Sequence, residues 1–321
     1  MKHFLFLSLG ISFSLAFTYC KSGENEISDE AKADTVSLLG DRSFRNGLSL
    51  KGTSSAHSPT GKYLSPFGKA QINSVWELAE WESKYQLSQD MMETDGDTRI
   101  YRDPGKMISF RESDGDYHIR MDVISSNEYT APRKAGEGWP HLLLEQSFPE
   151  KVLLKDLKGL LLGFSGRLVG AEMKMPADRF DKGLHSAQFQ LFITAQDLNP
   201  QSPGYGDYLW FGIPFYDYRY REAEVYAAKD IGKDDATGKF IYSLANRDFM
   251  KGSFHDGEWI TISKDLLPEI KKAIGIARER GYLKQSAEED LRISGMNIGW
   301  EVPGTFDVAF EFKGFNISAV R

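Results

Sequence analysis

Apolar side chains recur at every second position in ten segments of this chain, and this recurrence constrains the fold most strongly. Side chains alternate between the two faces of a β-strand, so a period of two predicts strands with one buried face. Turn-forming pairs such as Asp256-Gly257 and Pro303-Gly304 separate several of these segments. The predicted strands are residues 107–112, 116–124, 141–147, 160–175, 186–195, 207–215, 240–244, 258–262, 292–302 and 306–318.

One segment has helical spacing instead. Between Ser263 and Arg280 the apolar residues fall on one helical face and the charged residues on the other. Ser263 is the predicted N-cap of this helix and Gly281 its predicted C-cap. Many strands, one helix and no alternation of strands with helices predict an all-β fold: an antiparallel β-sandwich with one peripheral helix at about 263–280.

The first twenty residues are typical of an export signal. Residues 4–17 are almost wholly apolar and follow a short basic start, yet they are too few to span a bilayer as a helix. We therefore predict a signal peptide at 1–20 and an exported protein. Residues 21–46 are polar and predict a flexible tether, and residues 47–321 predict a single β-sandwich domain.

Cys20 is the only cysteine, and it directly follows the apolar core of the signal. This arrangement resembles a bacterial lipoprotein signal, in which the cysteine becomes the lipidated first residue. The resemblance implies an envelope protein that is attached to a membrane through a lipid on Cys20. The alternative is cleavage after Ala16, which leaves a spare thiol on the tail.

The charge of the chain argues against one class of partner. The formal net charge is −7 and the sequence contains no basic run, so we predict no binding to nucleic acid.

Separating the two faces of each predicted strand exposes a set of polar and aromatic side chains. If these faces align on one sheet, flat rings can cover the apolar face of a sugar while amide and guanidinium groups bond its hydroxyls. The alternative is a polar sheet face that is covered by a loop. The side chains in question are His118, Arg120, His141, Glu145, Gln188, Gln190, Tyr208 and Trp210.

Two further segments are candidates for the same site. Asp217 and Arg219 follow an aromatic strand, where they can either contact a ligand or form a structural ion pair. Residues 127–141 form a loop rich in Gly and Pro that carries acidic, basic and aromatic groups, and such loops often hold ligands.

The sequence lacks the common catalytic and metal-binding motifs. There is no G-x-S-x-G, no H-E-x-x-H and no phosphate loop, so we predict no cofactor and no metal site. Asp95-Gly96-Asp97 and Asp114-Gly115-Asp116 are either acidic turns or ligands of a structural calcium ion. Glycosidases need two carboxyl groups about 5 to 10 Å apart, and the candidates borne by predicted strands are Glu145 and Glu301.

The C-terminal part of the chain resembles a known fold. Residues 257–262, 293–300 and 306–312 look like the closing strands of jelly-roll domains in carbohydrate-binding modules and concanavalin-like proteins. The resemblance implies a jelly-roll sandwich with a glycan or polysaccharide as partner. The chain also resembles jelly-roll polysaccharide lyases, which carry Arg, Gln, His and Tyr side chains on one concave sheet and use a Tyr or His as the base. The matching residue types here are His118, Arg120, Gln188, Gln190 and Tyr208.

Together these patterns predict an exported envelope lipoprotein that binds a glycan on the polar face of a jelly-roll sandwich. The alternative is a polysaccharide-degrading enzyme of the same fold, either a lyase or a glycoside hydrolase, and a structural or protein-binding role is a third. The predicted glycan-binding residues are Arg120, His141, Gln188, Gln190, Tyr208, Trp210, Asp217 and Arg219, and the catalytic candidates are Glu145, Glu301, His118 and Tyr208.

Overall fold

A computed structural model describes residues 34–54, 58–68, 74–113, 115–231 and 236–321. The predicted signal peptide, Cys20 and the first part of the predicted tether lie outside these residues. The chain from Asp34 to Arg321 forms one compact unit. Within the ranges given, no helix is long and apolar enough to cross a bilayer.

Seventeen strands among the described residues form two sheets, and nearly all neighbouring strands are antiparallel. The eight-stranded sheet contains, in spatial order, β15 (Ile260–Asp265), β10 (Gly159–Met173), β17 (Phe306–Val320), β8 (Asp116–Ile124), β7 (Lys106–Ser113), β6 (Thr98–Arg102) and β5 (Met92–Asp95), with β1 (Thr35–Ser37) also paired to β17. The nine-stranded sheet contains, in spatial order, β13 (Tyr226–Lys229), β14 (Phe240–Ser243), β12 (Tyr208–Asp217), β11 (Gln188–Asp197), β16 (Leu291–Glu301), β9 (His141–Leu153), β4 (Trp76–Ala79), β2 (Leu48–Lys51) and β3 (Pro59–Leu64).

The two sheets pack face to face through the apolar side chains that alternate along each strand. Aromatic rings from opposite sheets stack directly: Phe164 on Phe215 and Phe189 on Phe310, each with ring centroids 4.1 Å apart. Burying one such side chain stabilises the fold by about 1.5–3 kcal/mol. The prediction of an all-β jelly-roll sandwich with antiparallel sheets is confirmed.

The described residues contain one α-helix, α1 (Leu267–Glu279), which starts later than predicted. Ser263 is not its N-cap, because this residue belongs to β15 and pairs with Gly163. The side chain of Asp265 instead accepts a hydrogen bond from the backbone of Leu267 at 3.0 Å. Gly281 follows the helix with a φ of 95°, and the backbone N–H of Gly281 bonds the carbonyl of Arg278. A left-handed glycine just past the last turn is a common helix ending.

The sandwich begins before residue 47, which corrects the predicted boundary of the tether. Strand β1 pairs with β17, and the side chains of Leu38, Leu39 and Phe44 are buried. The ring of Phe44 stacks on Trp76 with centroids 4.9 Å apart. A segment with few apolar residues can therefore be ordered when those residues enter a core that the rest of the chain has built.

Candidate functional site

The outer face of the nine-stranded sheet, called the polar face below, carries most of the predicted glycan-binding residues. The side chains on this face point away from the core, because they alternate along each strand with the side chains that form the core. Strand pairing places Gln188 of β11 between Asp217 of β12 and Glu301 of β16, and Glu301 is in turn opposite His141 of β9. Polar side chains from four neighbouring strands therefore meet near one end of the sheet.

A β-bulge brings Asp217 onto the polar face. The register between β11 and β12 shifts at this point, so that Tyr216 packs inward against Trp300 while Asp217 lies opposite Gln188. Asp217 accepts hydrogen bonds from Gln188 at 2.9 Å and from Nη2 of Arg219 at 2.6 Å. Asp217 and Arg219 thus form a nearly buried ion pair, the structural one of the two roles considered for them. Bulges commonly redirect side chains in this way.

Glu301 is the centre of a group that we call the Glu301 cluster: Glu301, Gln190, His141 and Trp139. The side-chain amide of Gln190 donates to Oε1 of Glu301 at 3.1 Å, and the indole N–H of Trp139 donates to Oε2 at 3.3 Å. Nε2 of His141 lies 3.5 Å from the same Oε2. The carboxylate is held from three sides, yet its side chain keeps 21% of its surface exposed. It can therefore meet a ligand without first being reoriented.

Aromatic rings enclose His141. The ring of Trp139 stacks on it with centroids 5.7 Å apart, and the ring of Trp81 lies 5.5 Å away on a tilted plane. His141 is almost fully buried, and its Nδ1 atom has no hydrogen-bond partner among the described residues. Buried polar atoms in native proteins nearly always have a partner, and the contacts of the described residues supply none for this atom.

The predicted loop supplies one wall of the site. The guanidinium of Arg133 lies 4.7 Å from the ring of Trp139, and the backbone carbonyl of Arg133 is 2.8 Å from Nε2 of His185. These contacts fix the loop against the sandwich. The sequence predicted the whole loop as a candidate but did not select Trp139, and it missed Trp81. For Trp139 the available signal was a tryptophan between Gly138 and Pro140.

Gly299 lies two residues before Glu301 on β16, at a position that only glycine can occupy. It lies on β16 between Gln190 and Leu143, with a φ of 150° that side-chain-bearing residues rarely adopt. A β-carbon at this position would collide with the backbone carbonyl of Leu142. The strand can therefore keep this backbone conformation beside Glu301 only with glycine at position 299.

A second polar group on the same face consists of Lys51, Glu77 and Glu145. The ammonium of Lys51 lies 3.0 Å from Glu77 and 3.1 Å from Glu145. Burial raises the pKa of Glu145, against the opposing attraction of Lys51. Burial lowers the pKa of Lys51, but the two carboxylates outweigh this effect and raise it. The sequence missed Lys51 and Glu77 because they lie on β2 and β4, two short strands that are not among the ten predicted segments.

The structure does not bring Glu145 and Glu301 together as a pair. Glu145 pairs with Asn297, four residues along β16 from Glu301. At about 3.3 Å per residue the two backbones are about 13 Å apart. A salt bridge from Lys51 also occupies Glu145. The expectation that these two carboxylates form a glycosidase pair is therefore not met.

Tyr208 and Trp210 lie on the polar face but at the other end of it. Trp210 pairs with Thr194, six residues along β11 from Gln188, which corresponds to about 20 Å. The ring of Trp210 meets Phe192 and Tyr208 edge to face, with centroids 5.9 Å and 5.3 Å away. Burial raises the pKa of Tyr208. This aromatic end is a separate surface from the Glu301 cluster.

His118 and Arg120 are not on the polar face, which corrects the prediction that they share a surface with Gln188. Strand β8 belongs to the eight-stranded sheet, where it pairs with β7 and β17. Both Nε and Nη2 of Arg120 donate to the carboxylate of Asp122 at 2.8 Å. Alternation assigns a residue to a face of its own strand, but it does not say to which sheet the strand belongs. The lyase arrangement required both residues beside Gln188 and Tyr208, so it is not retained.

The described residues contain no group of His, Cys, Asp or Glu side chains that could hold a metal ion. Asp95-Gly96-Asp97 lies at the hairpin turn between β5 and β6, where Gly96 has a φ of 54°. The second acidic motif lies at the turn between β7 and β8, and its Asp114 is outside the described residues.

No protein-family model matches the chain, and a search of curated proteins found no match. The chain is similar in structure to a family 12 xyloglucanase from Bacillus licheniformis (TM-score 0.42, 9% identity, 74% of this chain and 99% of that chain). It is also similar to a cellulase derived from Cel12A of Rhodothermus marinus (TM-score 0.39, 12% identity, 76% and 100%) and to endoglucanase 3 of family GH12 from Trichoderma harzianum (TM-score 0.38, 10% identity, 79% and 100%).

At such low TM-scores and identities the likeness carries no argument about activity. What the chain does has to be argued from its own residues.

Proposed function

We propose that the polar face binds a glycan, with the Glu301 cluster as the centre of recognition. The observation that carries this proposal is the partly exposed carboxylate of Glu301, which Gln190, Trp139 and His141 hold in one orientation. Carboxylate and amide groups bond sugar hydroxyls, and indole rings cover the apolar C–H face of a sugar. These groups are already in place, so little conformational freedom has to be lost on binding.

The electrostatics of the face favour an uncharged glycan. Glu301, Glu145 and Glu77 all lie on it, and Lys51 is shared by two of them. A glycan with carboxylate or sulfate groups would be repelled by the excess of negative charge. We therefore expect neutral oligosaccharides to bind better than acidic ones.

Calorimetric titration with a panel of neutral oligosaccharides tests this proposal. The variants Glu301→Gln and Trp139→Ala should each weaken binding about tenfold, because each removes one contact of the cluster. Glu224→Gln is the matched control, since this exposed carboxylate pairs only with Arg247 among the contacts described. Equal affinity in wild type and Glu301→Gln, or an equal loss in the control, would refute the role of the cluster.

Hydrolysis is the second candidate, favoured by one feature of the strand register. Glu301 and Asp217 flank Gln188 on either side, so their backbones are two strand spacings, about 10 Å, apart. An inverting glycosidase needs two carboxyl groups about 6.5–9.5 Å apart. Glu301 would protonate the leaving oxygen, and Asp217 would have to leave Arg219 to activate water.

The release of reducing ends from neutral polysaccharides separates hydrolysis from binding alone. If the chain is a hydrolase, Glu301→Gln and Asp217→Asn should each abolish the release while Glu224→Gln leaves it unchanged. Binding without any new reducing ends would leave the first proposal standing and exclude the second.

We also propose that the chain is exported and anchored through a lipid on Cys20. The supporting observation is the apolar segment at 4–17 directly before the only cysteine. Expressed in a bacterium, the wild type should partition into detergent and incorporate labelled fatty acid, whereas Cys20→Ala should do neither. Incorporation that persists in the variant would contradict the anchor.

A further inference from the structure

The outer face of the eight-stranded sheet carries a line of basic side chains that the proposed function does not use. His118 of β8 lies opposite Arg111 of β7, and Ser165 of β10 lies opposite Lys313 of β17. Lys313 directly follows Phe312, the partner of Ile119, and His118 directly precedes Ile119. We call Arg111, His118 and Lys313 the basic row, because they lie side by side on three consecutive strands of the sheet.

An exposed tryptophan lies at one end of the basic row. Trp259 precedes β15 and keeps 38% of its surface exposed, which is unusual for its size. Its ring is 5.1 Å from the ammonium of Lys313 and 5.4 Å from the guanidinium of Arg167. The ring of His118 meets it edge to face at 6.4 Å. The indole therefore holds two cations near each other at the surface through cation–π contacts.

The charges within and around the row leave a positive centre. Arg167 is paired with Glu311, and a guanidinium nitrogen of Arg111 lies 3.1 Å from Nδ1 of His118. Burial lowers the pKa of His118, and the cations Arg111 and Lys313 lower it further, against the opposing carboxylates of Asp116 and Glu311. The protein as a whole carries a formal charge of −7, so this positive region contrasts with the rest of the chain.

Polar side chains extend the basic row in a line across the neighbouring strands. Ser165 and Thr261 continue it toward β15, with their hydroxyl oxygens 3.0 Å apart. Neighbouring strands are about 4.8 Å apart, so charged and hydroxyl groups repeat along the row at that spacing. A linear ligand with regularly repeated anionic and hydroxyl groups matches this pattern. A membrane surface matches it less well, because a continuous apolar face strengthens interfacial binding and a row of charged and hydroxyl groups lacks one.

We propose that the basic row and Trp259 bind a linear glycan that bears carboxylate or sulfate groups. This site lies on the opposite sheet from the polar face and has the opposite preference for charge. Arg111 and Lys313 would bond the anionic groups, and the hydroxyls of Ser165 and Thr261 would bond those of the sugar.

Titration with oligosaccharides of polygalacturonate and of heparin tests the proposal, at about 50 mM and about 200 mM salt, since binding through charge weakens as salt screens it. The double variant Arg111→Gln/Lys313→Gln should lose at least tenfold in affinity, and its affinity should depend less on salt. Trp259→Ala should lose several-fold. Thermal unfolding of each variant checks that it is folded. If the double variant does not fold, the single variant Lys313→Gln replaces it in the titration.

The matched control is Lys155→Gln/Lys272→Gln, which removes the same charge from two exposed positions elsewhere. It should bind like the wild type, and so should Glu301→Gln, which separates this site from the polar face. An equal loss in the lysine control would show attraction by net charge alone. Failure of the wild type to bind either acidic glycan, or binding only to vesicles of anionic phospholipid, would overturn the proposal.

Discussion

The two outer faces of the sandwich arise from the same alternation of side chains, yet their polar groups are organised differently. On the polar face, contacts run between elements, and Glu301 is held by β11, by β9 and by the loop before β9. On the other sheet, Arg120 is held along its own strand by Asp122. The second face also has contacts between elements, such as the ion pair between Arg167 of β10 and Glu311 of β17. Contacts between elements depend on the order of the strands, whereas a contact within a strand does not.

The faces also differ in charge. Carboxylates dominate the polar face, and the basic row crosses the opposite sheet beside Trp259. The two proposals together predict that a neutral glycan and an acidic glycan bind to opposite faces without competing. The expected effects below test that difference, from the largest to the smallest.

The largest effect should come from the core that both faces share. Phe189 and Phe310 stack across the two sheets, and each is fully buried. Phe189→Ala or Phe310→Ala should each lower the free energy of unfolding by about 3–5 kcal/mol in urea denaturation. The double variant should lower the free energy of unfolding by less than the sum of the two single variants, because the two rings are in contact. A loss below about 1 kcal/mol for either would show that the sheets do not pack as described.

A buried ion pair that joins the two sheets should make stability depend on pH. Glu80, directly after β4, lies 3.4 Å from Lys106 of β7, and both side chains are almost fully buried. Burial raises the pKa of Glu80 to about 7, because it outweighs the attraction of Lys106.

The folded state therefore binds a proton on Glu80 more tightly than the unfolded state does. Its contribution to stability is full below about pH 4.5 and is lost as the pH rises through about 7. At 1.36 kcal/mol per pKa unit, the loss is on the order of 3 kcal/mol. Urea denaturation from pH 5 to 8 should show this dependence in the wild type and a flatter one in Glu80→Gln. Parallel curves would contradict it.

Variants of each proposed site should change the affinity for one class of glycan by about tenfold, which corresponds to about 1.4 kcal/mol of binding free energy. Glu301→Gln should weaken a neutral glycan and leave an acidic one unchanged. Arg111→Gln/Lys313→Gln should do the reverse. A variant that weakens both ligands equally would show that the two faces do not act as separate sites.

Trp210→Ala should have a smaller effect because Trp210 lies far from the Glu301 cluster. Its edge-to-face contacts with Phe192 and Tyr208 are worth about 0.5–1.5 kcal/mol each. We expect a shift of a few degrees in melting temperature and a two- to threefold loss of affinity for a neutral glycan. A loss as large as that of Glu301→Gln would move the centre of the site to the aromatic end.

Arg120→Gln should have the smallest effect. Its ion pair with Asp122 is partly exposed, and such pairs contribute about 0.2–1 kcal/mol. The free energy of unfolding should change by no more than about 1 kcal/mol, and the affinity for a neutral glycan should not change. A clear loss of neutral-glycan affinity would place Arg120 with the polar face after all.

The sequence by itself determined the class of fold. Periods of two and of 3.6 residues are local properties that reflect which side of an element is buried. Ten of the seventeen described strands, the sandwich and the single described helix could be predicted from them, whereas β1–β6 and β13 were missed. It also placed Gln188, Gln190 and Tyr208 on one outer face of their strands, because alternation fixes relative direction within a strand.

Only the tertiary structure decided which strands became neighbours. It separated Arg120 from Gln188, placed Glu145 beside Lys51 rather than Glu301, and brought Trp139 onto His141. Such meetings depend on sheet order and on the register between strands far apart in the chain. A one-residue bulge is enough to turn Asp217 outward, and no local pattern carries that information.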